Sequence, residues 1–276
     1  MFVKNKTVHV PQAGTIPAVQ KNRTVLLATI GQRTDTDRTY DLGEYTTDPI
    51  LIGNTEEIQV VYEKRQSVLK QHIEKIDNRL GKETANAWAG AGLVTASGQI
   101  VETTGTATAG IMPTGATGNR NAVAIEDIAN CAKKLDKDEM PMEGRYMLMP
   151  SDMYWSMLND NAELLNSQYM NKGNLPDGVV NRIHGINIML RSFVTLYTNA
   201  TVPVLKAVNA AVVATDNHGA ICWHESRVAK ALGAVTVFGD EAKPEYYGDI
   251  FSALVLFAAD ALRDDGTGVV TLVQNV

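Results

Sequence analysis

Cysteine is nearly missing from this chain. Cys131 and Cys222 are the only two, far apart and outside any CxxC spacing, so neither a disulfide-stapled miniprotein nor a paired-thiol metal framework can be built from them. Single thiols fit a reducing compartment. Aromatic residues are scarce at 6%, which leaves little large-ring packing for the core. Positive charge is in deficit, 25 Lys and Arg against 31 Asp and Glu, and a net charge of −6 provides no summed field to draw the chain broadly onto a nucleic-acid backbone. A local basic patch remains compatible with that balance. Long apolar runs are absent as well. The opening MFVKNKTVHVPQAG lacks a signal-peptide core, and FSALVLFAADAL ends well short of the roughly 20 residues that span a bilayer, so no membrane anchor is expected.

What is plentiful is glycine, 22 residues, within an ordinary balance of 45% hydrophobic and 20% charged residues. A length of 276 residues can bury a substantial core, as one large domain or two smaller ones. Residues 1–52 alternate short β-capable runs with turns: KTVHV, RTVLLATI, then RTYDLGEYTTDPILI. Between the outer runs, QRTDTDRT is too charged for a small core to bury, which predicts a long hairpin or arm projecting from a body. From about residue 60 to 88 the pattern turns helical. Leu69, Ile73, Ile76 and Leu80 recur at intervals of four, three and four and are expected to pack this helix on a sheet.

Residues 90–118 are rich in Gly and Thr and carry one charge, Glu102; they read as short strands with turns or as a surface loop, and mark the best internal boundary. AVAIEDIANCAKKLDKDE then predicts a helix that Pro141 keeps from continuing, RYMLMP a buried strand, and SDMYWSMLND a short helix capped by Ser151 or Asp152 with Met153, Trp155, Met157 and Leu158 as its apolar content. GVVNRIHGINIMLR has strand composition after NKGNLPDG. NAAVVATD and GAVTVFGD read as interior strands, and HESRVAKALG between them as a short helix. The last 30 residues give an apolar run, a polar turn at Arg263, Asp264, Asp265 and Gly266, and a Val-rich strand tucked into a sheet. No repeat or sustained heptad appears, and the class is mixed α+β.

Chemistry-bearing clusters are weak. His218, Cys222, His224 and Glu225 lie within HGAICWHES, but a strand would align Cys222 with His224 while His218 falls beyond a turn at residues 216–219, so a zinc tetrahedron is not expected. Cys131 has no local histidine partner for nucleophilic catalysis. GTGVV at residues 266–270 precedes a strand instead of opening a helix, and no GxxxxGK[ST] occurs. Asp260, Asp264 and Asp265 around Arg263 read as a solvated turn with a salt bridge, and Lys133, Lys134 and Lys137 are offset by Asp136, Asp138 and Glu139. Met147, Met149, Met153 and Met157 read as core or interface packing. No catalytic, cofactor-binding or metal residues are expected. An arm and a long helix without an active site point instead to assembly with other chains.

Taken in order, KTVHVPQAG, YDLGEYTTDPILI leading into VVYEKRQSVLKQHIEKID, NAWA at residues 86–89 and the ending ALRDDGTGVVTLVQ resemble the major capsid proteins of tailed double-stranded DNA bacteriophages with the Hong Kong 97-type fold. The resemblance covers most of the chain. It implies an N-terminal arm and extended β-hairpin loop over residues 1–52, the spine helix and peripheral-domain strands over 53–119, a mainly axial domain over 120–205, and return strands of both domains over 206–276. It implies a structural, non-enzymatic subunit that self-assembles into hexamers and pentamers of an icosahedral shell around double-stranded DNA. The implied partners are copies of the chain, a separate scaffolding protein, a portal, decoration proteins and DNA held without sequence specificity. The implied location is the virion capsid, after synthesis and assembly in the bacterial host cytoplasm. With the arm expected to begin almost at Met1, no long N-terminal scaffolding segment of the kind that several relatives carry and remove is expected, so that either a separate scaffold assists or none is needed. Some relatives crosslink through a hairpin lysine; Lys6 and Lys21 are the candidates, but no motif identifies a partner asparagine and no crosslink is expected. An encapsulating compartment shell or another phage structural protein is the alternative reading, and an enzyme with a site near His218 to Glu225 a remote one.

Overall fold

The computed structural model describes residues 2–4, 6–12, 14, 19, 21–24, 32–53, 64–89, 99–161, 182–263 and 265–276. In chain order the elements are β1 (Phe2–Lys4), β2 (Thr7–Gln12), β3 (Thr36–Asp41), β4 (Gly43–Thr46), β5 (Ile50–Gly53) and α1 (Lys64–Trp88). Next come β6 (Ile100–Glu102), β7 (Ala107–Ala109), β8 (Asn119–Asn121), α2 (Ile125–Lys137), β9 (Arg145–Pro150) and α3 (Ser151–Asp160). The remainder is β10 (Arg182–Ile183), β11 (Ile186–Arg191), β12 (Thr195–Tyr197), β13 (Asn217–His224), β14 (Val228–Lys243), β15 (Gly248–Ala261) and β16 (Val269–Val273). The class is α+β, and both halves of the chain contribute to both main sheets.

The N-terminal hairpin is a three-stranded ribbon, β1-β2-β3, in which Thr7 pairs Asp41 and Gln12 pairs Thr36. Half of the charged stretch expected as a turn belongs to this ribbon: residues 36–39 are strand, and residues 32–35 are not. The VLLATI part of the preceding run lies outside the described residues, as do residues 60–63 of the expected long helix, residues 90–98 and the NKGNLPDG segment.

The smaller body sheet has the order β14-β15-β4, with β5 also on β15. Alternation along β15 sends Phe251, Ala253, Val255 and Phe257 to one face, where α1 lies across them. At about 1.5 Å per residue, the 25 residues of α1 run for roughly 37 Å. The helix does not stop at Gly81, whose missing side chain makes room for the Arg191 guanidinium, a donor to Asn78 O at 3.0 Å. Its buried line is Val68, His72, Ile76 and Ala85, with Leu69 and Leu80 half-buried beside it. Ile73, expected in that line, is 55% exposed. The face that meets β15 is rotated one residue from the apolar stripe, and buries a histidine where the stripe would have placed an isoleucine.

The larger sheet runs β10-β11-β9-β13-β16-β6, with β12 on β13; β9 and β11 are parallel, as are β6 and β16. One face carries α2 and α3, packing Ile128, Cys131, Leu135, Met153 and Met157 against Met147, Met149, Cys222, Val270 and Leu272. The methionines are core. On the opposite face, Ile221, Trp223 and Val269 meet the C-terminal end of α1 at Ala85, Trp88 and Ala89. Asp127 of α2 reaches back to accept from the N–H of Ala124 at 2.8 Å and from Thr104, tying the helix start to the segment that follows β6.

Four local expectations change. α3 follows Pro150 directly, without a side-chain cap from Ser151 or Asp152, and its Trp155 is largely exposed. Residues 209–216 form an irregular, mostly exposed loop instead of a strand, and among the described residues no strand pairs with them. HESRVAKALG is a short 3-10 turn, Glu225–Arg227, running straight into β14, since pairing with β15 overrides a weak helical pattern. GAVTVFGD does lie in β14, but at the edge of the sheet with its side chains exposed.

Replacing Ile76 by Ala is expected to lower the unfolding free energy of the unassembled subunit by about 2 to 5 kcal/mol, while Ile73→Ala leaves it nearly unchanged. Urea denaturation of both variants checks this, and equal losses would place Ile73 in the core. Burial pushes the Tyr197 hydroxyl and the Cys222 thiol up to about 12 from ordinary values of 10.0 and 9.0. Both folded values lie above the unfolded ones, so their stabilisation is complete below about pH 9 and is lost as pH rises toward about 12. Thermal midpoints should therefore fall across that alkaline window, and a flat profile would contradict it.

Candidate assembly interface

The clusters singled out for chemistry do not converge. His218, Cys222 and His224 share one face of β13, because the turn falls at residues 214–215 and His218 is already within the strand. At about 3.3 Å per residue, His218 and His224 stand roughly 20 Å apart. His218 Nε2 is 3.2 Å from an Asp152 carboxylate oxygen, and burial pushes its pKa down. His224 has its Nε2 2.9 Å from the carbonyl of Glu143 and accepts from the Ser226 N–H through Nδ1. Among the described residues no group of three His, Cys, Asp or Glu side chains is placed to hold a metal ion. Cys131 and Cys222 are both fully buried with thiols raised well above the usual range, the reverse of an activated nucleophile.

The acidic residues near Arg263 serve different ends. Asp265 pairs with Arg263 at 2.9 Å and is pulled far below the usual carboxylate range by that contact, whereas Asp260 turns to Arg38, and Asp264 lies outside the described residues. Lys134 pairs with Asp138 at 3.0 Å. Gly266 and Gly268 take positive φ of 69° and 84°, so GTGVV is a turn into β16. Lys6 lies 3.7 Å from Glu44, and Lys21 is exposed.

Arm geometry and surface composition are more informative. The ribbon's base is fastened to the end of β15 by a two-pronged contact, Arg38 Nε and Nη2 donating to the two carboxylate oxygens of Asp260 at 3.0 Å each. Gln12 donates to Leu262 O beside it, and Leu42 N–H donates to Lys6 O at 2.8 Å. Within the ribbon, Thr7 donates to Asp41 at 2.6 Å, and His9 lies 2.6 Å from Asp37. Sequence reading did not foresee the Arg38–Asp260 contact, since nothing local links positions 222 residues apart. Residues 21–24 of the arm are exposed.

A second feature flanks α1. On one side, Gln71, His72, Lys75 and Arg79 line a groove of about 1050 Å³ against β4 and Asp48. On the other side runs β14, roughly antiparallel to α1: Arg65 pairs with Glu241 at 3.0 Å at one end, and Trp88 donates to Ala229 O at the other. Leu232, Val235 and Val237 stand opposite Phe257, Val255 and Ala253 and therefore share the α1 face of the sheet, yet they lie beyond the helix and are 51–64% exposed. At 100° per residue Ile73 projects to this same flank of α1. Among the described residues β14 pairs with β15 alone, so an apolar band borders an open strand edge.

This architecture matches solved capsid structures. One, "Mycobacterium phage Che8", is 18% identical with a TM-score of 0.66, over 98% of this chain and 85% of that one. "Capsid structure of the Cyanophage P-SCSP1u" is 15% identical with a TM-score of 0.68, over 98% and 84%. "Capsid of Ralstonia phage GP4" is 12% identical with a TM-score of 0.62, over 98% and 84%. The fold is thus that of tailed-phage capsid subunits, the Hong Kong 97 type. No curated protein matches the chain by sequence. The family model of Gp10A-like major capsid proteins matches residues 47–250, well over half of the length, and the chain belongs to that family. It is a structural capsid subunit that associates with its own copies in the virion.

If the Arg38–Asp260 fork holds the arm's base, Arg38→Ala should speed proteolytic cleavage within residues 7–41 while shifting the unfolding free energy by only about 1 to 2 kcal/mol. Limited proteolysis followed by mass spectrometry reads this. Cleavage at the parental rate would mean that the ribbon is held elsewhere.

Proposed function

We propose that the chain builds the shell by laying its N-terminal ribbon on a neighbouring copy, and that hexamers and pentamers of it close an icosahedral capsid around double-stranded DNA. The observation that carries this reading is the pairing of a largely polar ribbon, fastened to the end of β15 through Arg38 and Gln12, with an exposed apolar band along Ile73, Leu232, Val235 and Val237 on the same molecule. In one chain each is costly: an unsupported ribbon is marginal in water, and an open strand edge with apolar neighbours invites pairing. In a shell each covers the other, the arm of one copy lying along β14 and α1 of the next.

The larger sheet with α2 and α3 serves as the axial lobe, and the smaller sheet with α1 as the peripheral lobe; β4 and β5, at residues 43–53, belong with the latter through their pairing to β15. The role is structural and not enzymatic. A separate scaffolding protein, a portal and decoration proteins complete the particle, which is assembled in the host cytoplasm without membrane attachment. DNA is held without sequence reading, as suits a chain of net charge −6.

Expressed alone, the full chain is expected to form rings or closed shells visible by negative-stain microscopy. A chain lacking residues 7–41, which keeps β4 and β5, is expected to remain folded by circular dichroism but to form none. Closed particles from this deletion would sink the role of the arm, and a full-length chain that stays monomeric would sink the capsid reading itself.

A further inference from the structure

The start of β13 sets His218 against several elements at once. Its side chain is 4% exposed, with Nε2 standing 3.2 Å from Asp152 in the first turn of α3. Phe193, in the link between β11 and β12, meets the imidazole edge-on with ring centroids 6.1 Å apart. Lys82 of α1 rests its Nζ 5.3 Å from the centroid of that same phenyl ring. The His218 N–H donates to Gln274 Oε1 at 3.0 Å, and the residue pairs with Leu196 of β12, so its backbone is held in place. One histidine thus touches α3 directly and α1 through a single ring.

Only one nitrogen of this imidazole is used. Nδ1 is buried and has no hydrogen-bond partner. A carboxylate only accepts, so the proton of the neutral ring lies on Nε2, donating to Asp152, and the bare Nδ1 faces protein. A second proton would put an N–H on Nδ1 with no acceptor, and a cation in a site shut off from water. Asp152 opposes that cost, but its side chain is 41% exposed and water weakens its pull. Burial is the larger influence and pushes the histidine below its ordinary 6.5, while the Asp152 charge and hydrogen bond pull the other way. Lys82, behind Phe193, does nothing to favour a cation. The charges at the turn before β13 are engaged elsewhere: Lys206 pairs with Asp216 at 2.6 Å, and Arg120 donates to Asn217 and to loop carbonyls. His224, at the other end of the strand, differs in having both nitrogens engaged, with Glu143 O and with Ser226.

We propose that His218 is an acid-sensitive latch, which holds the start of α3 and the Phe193 link on β13 while neutral and releases them when it is protonated. The cationic ring satisfies both nitrogens by turning out toward water, and Asp152 and Phe193 lose their seat as it leaves. Because the folded value is lowered, the opened form takes up the proton first as pH falls. Stability that is fully present above about pH 6.5 is therefore lost as pH falls from there through the folded value, the opening equilibrium shifting by up to about tenfold per pH unit. The latch lies inside one subunit and does not depend on how copies meet. Its consequence for a shell is a larger lobe whose α3 end is firm at neutral pH and loosens in mild acid.

Hydrogen–deuterium exchange of the full-length protein, read by mass spectrometry, tests this. Exchange at imidazole C2 titrates each histidine of the parental chain without any substitution, and His218 is expected to titrate below 6.5; a value at or above 6.5 overturns the proposal. Amide exchange, corrected for its intrinsic pH dependence, is expected to accelerate in residues 151–156 and 193–196 between about pH 7.5 and about pH 5, by up to about tenfold per pH unit. His218→Gln keeps a donor for Asp152 but cannot titrate, so it is expected to abolish this acceleration, whereas His224→Gln keeps it. A parental chain without the acceleration, its survival in His218→Gln, or its loss in both variants alike would each overturn the latch.

Discussion

The smaller sheet is registered on one strand. β15 pairs with β14 along one edge and with β4 and β5 along the other, buries Phe251, Ala253, Val255 and Phe257 under α1, and offers Asp260 to the arm. Side chains alternate along a strand, so slipping β15 by one residue would turn that whole row away from the helix. The hydrophobic cost of such a slip fixes the register, and the register in turn fixes where β14 presents its edge and where Arg38 finds its partner. The shape of the assembling surface is thus inherited from a buried apolar row.

That dependence explains how much could be read in advance. The long helix was legible because its apolar spacing is local, and the hairpin because β-branched residues alternate around polar turns. The buried face of α1 was not, since Leu69, Ile73, Ile76 and Leu80 define a stripe while the line actually covered, Val68, His72 and Ile76, is chosen by the strand beneath. Residues 209–216 have strand composition and, among the described residues, no strand to pair with; Val228, Ala231 and Leu232 have helical spacing and a strand that captures them. Family resemblance supplied the fold, whereas the Arg38–Asp260 fork and the seat of His218 between Asp152 and Phe193 exist only once distant segments are side by side.

The buried cations show the same logic at loops. Arg145 is 1% exposed and donates to Pro141 O, Met140 O and Asp136, so it anchors the entry to β9 without taking part in any site. Arg120 does the equivalent for residues 214–217. A guanidinium withdrawn from water is tolerated only with its donors largely satisfied, and removing its carbonyl partners would strand a charge. Loops held in this way keep one shape, which suits surfaces that must match a neighbour many times over.

Tryptophan, the scarcest aromatic, is used where the two lobes join. Of three tryptophans, two meet at the joint: Trp88 at the end of α1 and Trp223 in β13 have ring centroids 5.0 Å apart, with Tyr146 stacked beyond at 6.0 Å. Trp88 also donates to Ala229 O, just past the turn where the chain leaves the larger sheet for the smaller one. A joint of aliphatic side chains could slide, because their contacts are non-directional. Large flat rings with a fixed donor bond resist both sliding and rotation. A shell closes only if successive subunits meet at consistent angles, and each subunit contributes to that angle through the set of one lobe against the other. Rings at this joint therefore hold the set of one lobe against the other within the subunit.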